Sequence, residues 1–151
     1  MGINRRSIVK VLSLGGAMIG AGVLMPRVAL ATWKAAAFEA EDQETAIQEL
    51  LGDVPKESAD VILKTPETAE NGAIVPVTVR SSIANVESIS IYVKDNPSPL
   101  AVEFKIPEGT DADVSTRVRM DQSSRITAVV KAEGKLYSAA KDVTVTVGGC
   151  G

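Results

Sequence analysis

Hydrophobic and polar residues alternate along most of the chain after position 60, which is the pattern of half-buried β-strands. Several runs show this period of two, and Gly, Pro, Asn, Asp and Ser separate them at intervals of about a dozen residues. Short strands at this spacing predict an all-β protein, an antiparallel β-sandwich of immunoglobulin type. The alternating positions are Val61 and Leu63; Val75, Val77 and Val79; Ile89, Ile91 and Val93; Val102, Phe104 and Ile106; Val114, Thr116, Val118 and Met120; Ile126, Ala128 and Val130; and Val143, Val145 and Val147.

The segment 32–51 has the spacing of a short amphipathic helix instead. Gly52 follows it, where a helix C-cap favours a residue without Cβ, and 53–58 is predicted to be a turn. The apolar residues at helical spacing are Ala46, Ile47, Leu50 and Leu51. We interpret the acidic residues here as a solvated face and as negative charge at a helix start, with a docking patch for a basic partner as the alternative; they are Glu39, Glu41, Asp42 and Glu44.

One region of the predicted sandwich is apolar on both faces. Its residues are Ile83, Val86, Ile91 and Tyr92. This pattern suggests that a partner covers one sheet, and a strand buried on both faces within the chain is the alternative.

The start of the chain has the arrangement of a cleavable export signal. Arg5 and Arg6 precede an uncharged stretch over 11–25, and Ala29 and Ala31 form a small-x-small cleavage site. Paired arginines before such a run predict the twin-arginine route and a periplasmic protein. The apolar run is shorter than the ~20 residues that a membrane helix needs, so we expect no membrane association after cleavage. A retained anchor with a small-xxx-small helix-packing pair is the alternative.

Length and composition limit what the rest of the chain can do. The 151 residues suffice for one ordinary domain, so we divide them into the signal 1–31, a domain 32–147 and an arm 148–151. One Cys and no His exclude Cys/His zinc sites, c-type haem attachment and Ser-His-Asp hydrolysis, and we predict neither metal nor cofactor. The signal holds four of the 16 basic residues and none of the 19 acidic ones, so the remainder has 12 basic and 19 acidic residues, a formal charge of −7. Such a chain is unsuited to nucleic acid.

The chemically active candidate is the thiol of Cys150, flanked by Gly148, Gly149 and Gly151. Glycines without Cβ adopt many conformations, so this arm is predicted to be a flexible tether that carries the thiol roughly ten ångströms beyond the sandwich. No His, Lys or Arg lies within the arm. An enzyme acting on the thiol must therefore supply the acid, base, metal or electron acceptor. An incidental thiol that forms disulfide dimers is the alternative interpretation.

Several segments of the chain together match one known pattern. They are residues 70–77 (ENGAIVPV), 96–100 (NPSPL), 114–120 (VSTRVRM), 134–137 (GKLY) and 148–151 (GGCG). With the twin-arginine signal, they resemble the SoxY family, the sulfur-carrier subunit of the SoxYZ complex in bacterial thiosulfate oxidation. The family's tail usually ends Gly-Gly-Cys-Gly-Gly, and the sequence here has one glycine fewer.

The resemblance implies a carrier with no enzymatic activity of its own. It implies an immunoglobulin-like fold in a heterodimer with SoxZ, and Cys150 as the covalent attachment point for sulfur from thiosulfate. A c-type cytochrome enzyme, SoxXA, would join thiosulfate oxidatively to the thiol, and the di-manganese hydrolase SoxB would release sulfate. A sulfur dehydrogenase or a storage route would then take the remaining sulfane sulfur.

Two other function classes remain open at the level of sequence. The first is a periplasmic immunoglobulin-like binding or adhesion module without covalent chemistry. The second is a thiol enzyme such as a peroxidase, which is disfavoured because no His, paired Cys or neighbouring Arg in the arm would activate the sulfur.

Overall fold

The structure is a computed structural model that describes residues 34–146. Two short helices precede nine strands within this range. The helices are α1 (Ala35–Glu39) and α2 (Gln43–Leu51). The strands are β1 (Lys56–Glu57), β2 (Val61–Lys64), β3 (Thr68–Ala69), β4 (Val75–Ser81), β5 (Val86–Val93), β6 (Leu100–Lys105), β7 (Asp113–Val118), β8 (Ser124–Ala132) and β9 (Lys135–Val145). No helix in this range is both long enough and apolar enough to cross a lipid bilayer.

The strands form two sheets. The larger has the order β1-β9-β8-β5-β6, with β3 also paired to β9, and the smaller has the order β2-β4-β7. All pairs are antiparallel except those of β1 and β3 with β9, which are parallel. The predicted all-β sandwich is therefore confirmed.

The main core lies between the two sheets and consists of aliphatic side chains at alternate positions. Its fully or almost fully buried members include Val75, Val77 and Val79 of β4, Ile89, Ile91 and Val93 of β5, and Ile126, Ala128 and Val130 of β8. Burying one Val or Ile side chain contributes roughly 1.5–3 kcal/mol, so this cluster supplies much of the driving force for folding. The alternating runs of the sequence are the origin of this core.

A second core covers the outer face of the larger sheet. Tyr92 and Val129 point away from the main core and pack with α1 and α2 through Ala37, Ile47 and Leu50. This packing explains why the sequence of β5 is apolar on both faces. The suggestion that a partner covers this face is wrong for Tyr92, because the chain's own helices bury it completely.

Helix α2 ends as predicted. The sequence analysis predicted one helix, however, and the structure divides it into α1 and α2. Gly52 has a φ of 81° and donates its N–H to the carbonyl oxygen of Gln48 at 2.9 Å, which completes the C-cap. At the other end the Asp42 carboxylate accepts the Thr45 N–H at 2.8 Å. This N-cap starts a new helix and separates α2 from α1.

Two segments differ from their predictions. The predicted turn 53–58 contains β1, which lies beside the first half of β9. The last strand begins at Lys135, well before the predicted Val143, because pairing with β8 extends it through residues that lack a β-branched pattern. Neighbouring strands thus decided these assignments against local propensity.

Candidate functional site

The predicted site residues lie outside the described part of the chain. They are Cys150, Gly148, Gly149 and Gly151 of the arm, and Arg5, Arg6, Ala29 and Ala31 of the export signal. The structure does describe the segment from which the arm continues. We call Thr144, Val145 and Thr146 the arm base; Cys150 follows Thr146 by four residues.

Strand β3 holds one edge of the arm base. The N–H of Thr144 donates to the carbonyl oxygen of Glu67 at 2.9 Å, and the N–H of Thr146 donates to that of Ala69 at 3.0 Å. These parallel bonds fix two alternate residues of the arm base. Although β3 has only two residues, it therefore pairs with one edge of β9 at the end of the sandwich where the arm begins.

Ser123 holds the opposite edge. The N–H of Val145 donates to the Ser123 hydroxyl oxygen at 2.9 Å, just before β8 begins. Successive N–H groups of a strand point to opposite sides, so Ser123 and β3 together engage three consecutive residues of the arm base. The chain is therefore anchored up to Thr146.

Gly72 packs against the arm base from the turn between β3 and β4. Its carbonyl oxygen accepts the Met120 N–H at 2.7 Å. A Cβ at this position would overlap the Met120 carbonyl oxygen and lie 3.0 Å from Cγ1 of Val145. The close approach of three chain segments therefore requires glycine here.

Two exposed ion pairs lie near the arm base. The Arg125 guanidinium binds both carboxylate oxygens of Asp142, at 2.9 and 3.0 Å, and this hydrogen bonding lowers the pKa of Asp142 below its usual value. Arg119 pairs with Asp121 at 2.8 Å. These exposed pairs contribute little to stability.

A shallow cleft of about 420 Å³ adjoins this region and is lined by the start of β8, the end of β9 and the residues Lys94 and Asp95 after β5. Its wall includes Ser123 and Thr144, so it begins beside the arm base. Within residues 34–146, no three His, Cys, Asp or Glu side chains lie close enough together to hold a metal ion. The described part of the site is a hydrogen-bonded anchor for the arm.

Sequence reasoning missed the residues that build this anchor. Gly72 belongs to the segment 70–77 that carried the family resemblance, and this was the available signal for it. Ser123 lies among the polar residues that separate two alternating runs, and the sequence analysis gave it no role. Its hydrogen bond to Val145 joins residues 22 positions apart, which no local pattern reveals.

Comparison with known proteins places the chain in a family. The model of the family "SoxY: Sulfur oxidation protein SoxY" matches residues 47–150, which include Cys150 and most of the described sandwich. No curated protein sequence matches the chain significantly.

Some solved structures resemble the chain in both sequence and fold, and others resemble it in fold alone. The sulfur carrier protein SoxY from Chlorobium limicola f thiosulfatophilum is 42% identical, with a TM-score of 0.63, over 69% of this chain and 96% of that one. A superoxide reductase (neelaredoxin) from Ignicoccus hospitalis is 16% identical, with a TM-score of 0.51, over 57% of this chain and 80% of that one. A variant of the same reductase is also 16% identical, with a TM-score of 0.52, over 68% of this chain and 91% of that one. The reductases share only the fold. The chain belongs to the SoxY family of sulfur oxidation proteins.

Proposed function

We propose that the protein is a periplasmic carrier that holds sulfur intermediates of thiosulfate oxidation covalently on Cys150. Family membership supports a carrier in sulfur oxidation, as opposed to an enzyme. The observation that supports covalent attachment of sulfur is the position of the single Cys, four residues beyond the anchored Thr146.

Chain geometry limits how far the thiol can travel. A fully extended chain spans at most ~3.3–3.6 Å per residue, so the Cα of Cys150 lies within about 14 Å of that of Thr146. Thr146 itself is held by β3. The proposed arm therefore starts from a fixed point. The Cys150 thiol can reach an active site only within a small volume around Thr146.

The loading step is an oxidation that forms a sulfur–sulfur bond. The Cys150 thiol and thiosulfate each contribute a sulfur atom, the thiol loses its proton, and the two electrons would be accepted by the cytochrome enzyme SoxXA. The product is a cysteine S-thiosulfonate. The family resemblance assigns the role of electron acceptor to that partner enzyme.

The second step is hydrolysis. Water attacks the terminal sulfonate under the action of SoxB, the sulfur–sulfur bond to the sulfonate breaks, and sulfate leaves with two protons released. The electron pair of that bond stays on the sulfane sulfur, which remains on Cys150 as a persulfide. A sulfur dehydrogenase or a storage route then removes this atom.

SoxZ is the proposed permanent partner in a heterodimer. The family assignment supports partner proteins of sulfur oxidation in general, and SoxZ is the one that the resemblance implies. Light scattering of the two chains after co-expression should show a 1:1 complex. A monodisperse monomer would count against the heterodimer and leave the carrier chemistry standing.

The direct test is intact-mass analysis of the mature protein after incubation with thiosulfate and SoxXA. We expect a mass increase that corresponds to one thiosulfonate group and that dithiothreitol reverses. The Cys150→Ser variant should fold and bind SoxZ normally and gain no mass. An equal adduct on this variant, or none on the wild type, would contradict the proposal.

A further inference from the structure

Large apolar side chains are strongly exposed at few places in the described part of the chain. Val54 is 76% exposed, Ile62 is 47% exposed and Ile74 is 56% exposed. Single exposed apolar residues are ordinary on protein surfaces, so exposure alone assigns no role. Only Ile74 among these three residues lies near the arm base, and this position distinguishes it from the other two.

Ile74 lies at the end of the sandwich where the arm leaves. It is two residues from Gly72, at which an added Cβ would lie 3.0 Å from Val145. It also directly precedes Val75, the fully buried first residue of β4. Ile74 is therefore a near neighbour of the arm base.

The other two exposed residues lie towards the opposite end. Val54 precedes β1, whose Lys56 pairs with Tyr137, and Tyr137 is eight residues, or about 26 Å of strand, before Val145. Ile62 pairs with Arg80, which is five residues, or about 16 Å, along β4 from its arm end. Both residues are natural controls for Ile74.

The turn that carries Ile74 is held in place by hydrogen bonds. The side-chain oxygen of Asn71 accepts the Ala73 N–H at 2.9 Å, and its carbonyl oxygen accepts the Ile74 N–H at 3.3 Å. Gly72 fixes the same turn to Met120. An apolar side chain on a fixed turn loses little conformational entropy when a partner covers it, which favours binding.

The reach of the arm determines what can cover Ile74. Any enzyme that reacts with Cys150 must bring its active site within about 14 Å of Thr146, because the intervening chain spans no more than that. The rim of that active site must then lie against the surface around the arm base. This surface carries the ion pairs Arg119–Asp121 and Arg125–Asp142 together with the exposed carboxylate of Glu70. Ile74 is a large exposed apolar side chain on it.

We propose that the turn 70–74, with Ile74 as the anchor, is the docking surface for the enzyme that loads the thiol. This inference rests on the proposed carrier function. The feature that complements Ile74 is an apolar patch at the mouth of that enzyme's active site. Residues that contribute most to binding energy lie near the centre of an interface and are fully desolvated there, which is the position that Ile74 would take.

The test compares variants of the mature chain, purified as its complex with SoxZ, in steady-state loading by the cytochrome enzyme with thiosulfate. Ile74→Ser should raise the KM for the carrier about tenfold, which is about 1.4 kcal/mol, and leave kcat within about twofold. Val54→Ser and Ile62→Ser should leave both parameters unchanged. Ile74→Ala, which also removes most of the apolar side chain, should raise the KM in the same direction, and it keeps the test valid if Ile74→Ser folds poorly.

Reaction of Cys150 with a small aromatic disulfide reagent is the second measurement. Its rate should be equal in all variants, since the reagent needs no docking surface. A wild-type KM for Ile74→Ser would overturn the docking inference, and the loading of wild-type protein would then still support the carrier function. Loss of SoxZ binding by Ile74→Ser would also overturn it, because the surface would belong to the heterodimer. Failure of the wild type to load would overturn both.

Discussion

Gly72 and Met120 approach each other so closely that no side chain fits between their backbones. The Gly72 carbonyl oxygen accepts the Met120 N–H at 2.7 Å, and a Cβ on Gly72 would overlap the Met120 carbonyl oxygen. The same Cβ would press on Val145. One glycine therefore joins the turn before β4, the segment after β7 and the arm base.

Gly72→Ala should destabilise the fold, because the obstructing atom is backbone and cannot rotate away. We expect a loss of about 1–3 kcal/mol in the free energy of unfolding, as for other overpacked sites. Urea denaturation followed by circular dichroism measures it. The neighbouring exposed Ala73→Ser is the control and should change stability by less than about 0.5 kcal/mol. Equal stability of the two variants would show that the turn moves freely.

Ser123→Ala should loosen the arm base without unfolding the sandwich. The substitution removes the acceptor of the Val145 N–H, and losing one such bond costs about 0.5–1.5 kcal/mol. Amide hydrogen exchange at Val145 should become several-fold faster. Ser115→Ala, on the outer face of the smaller sheet, should leave this exchange unchanged. Unchanged exchange in Ser123→Ala would mean that β3 alone holds the arm base.

Tyr92 should make the protein sensitive to alkali. Burial raises the pKa of Tyr92 to about 12 from its usual value of 10.0. Because the folded-state pKa lies above the unfolded value, this contribution to stability is complete below pH 10 and is lost as the pH rises towards 12. The loss amounts to about 2–3 kcal/mol across that window.

Tyr92→Phe should therefore lose less stability between pH 10 and pH 12 than the wild type. Urea midpoints measured across this range, together with the ultraviolet absorbance of tyrosinate, provide the comparison. If Tyr92→Phe follows the wild-type curve, the hydroxyl is not the titrating group.

Bulk and stiffness in the arm should slow loading while leaving the thiol intact. Gly149→Val adds a β-branched side chain next to Cys150, and Gly148→Pro fixes φ near about −65°. We expect at least about tenfold slower loading by the cytochrome enzyme, with an unchanged melting temperature and normal reaction with a small thiol reagent. Wild-type loading rates for both variants would contradict a swinging arm.

Replacing both arginines of the predicted signal should stop export. Arg5→Lys with Arg6→Lys preserves charge and removes the paired guanidinium groups. Cell fractionation should then find the precursor in the cytoplasm, whereas Lys10→Arg should be exported normally. Periplasmic protein from the double variant would refute the twin-arginine prediction.

The sequence by itself determined the fold class, the family and the end of helix α2. Alternating residues such as Val75, Val77 and Val79 predict strands because one face of each strand must be buried, and the sandwich confirms this. Gly52 predicted the helix end because its left-handed φ is accessible to glycine. The resemblance of the quoted segments to SoxY is confirmed by the family match. The roles of Cys150 and of the export signal stay predictions.

Tertiary structure alone decided which surface covers Tyr92 and what holds the arm base. A strand that is apolar on both faces has the same sequence pattern whether its own helices or a partner cover it, so the pattern could not choose between them. The bonds from Thr146 to Ala69 and from Val145 to Ser123 join segments far apart in sequence. Such contacts depend on how whole sheets are arranged. The space that requires glycine at position 72 exists only after those sheets have packed.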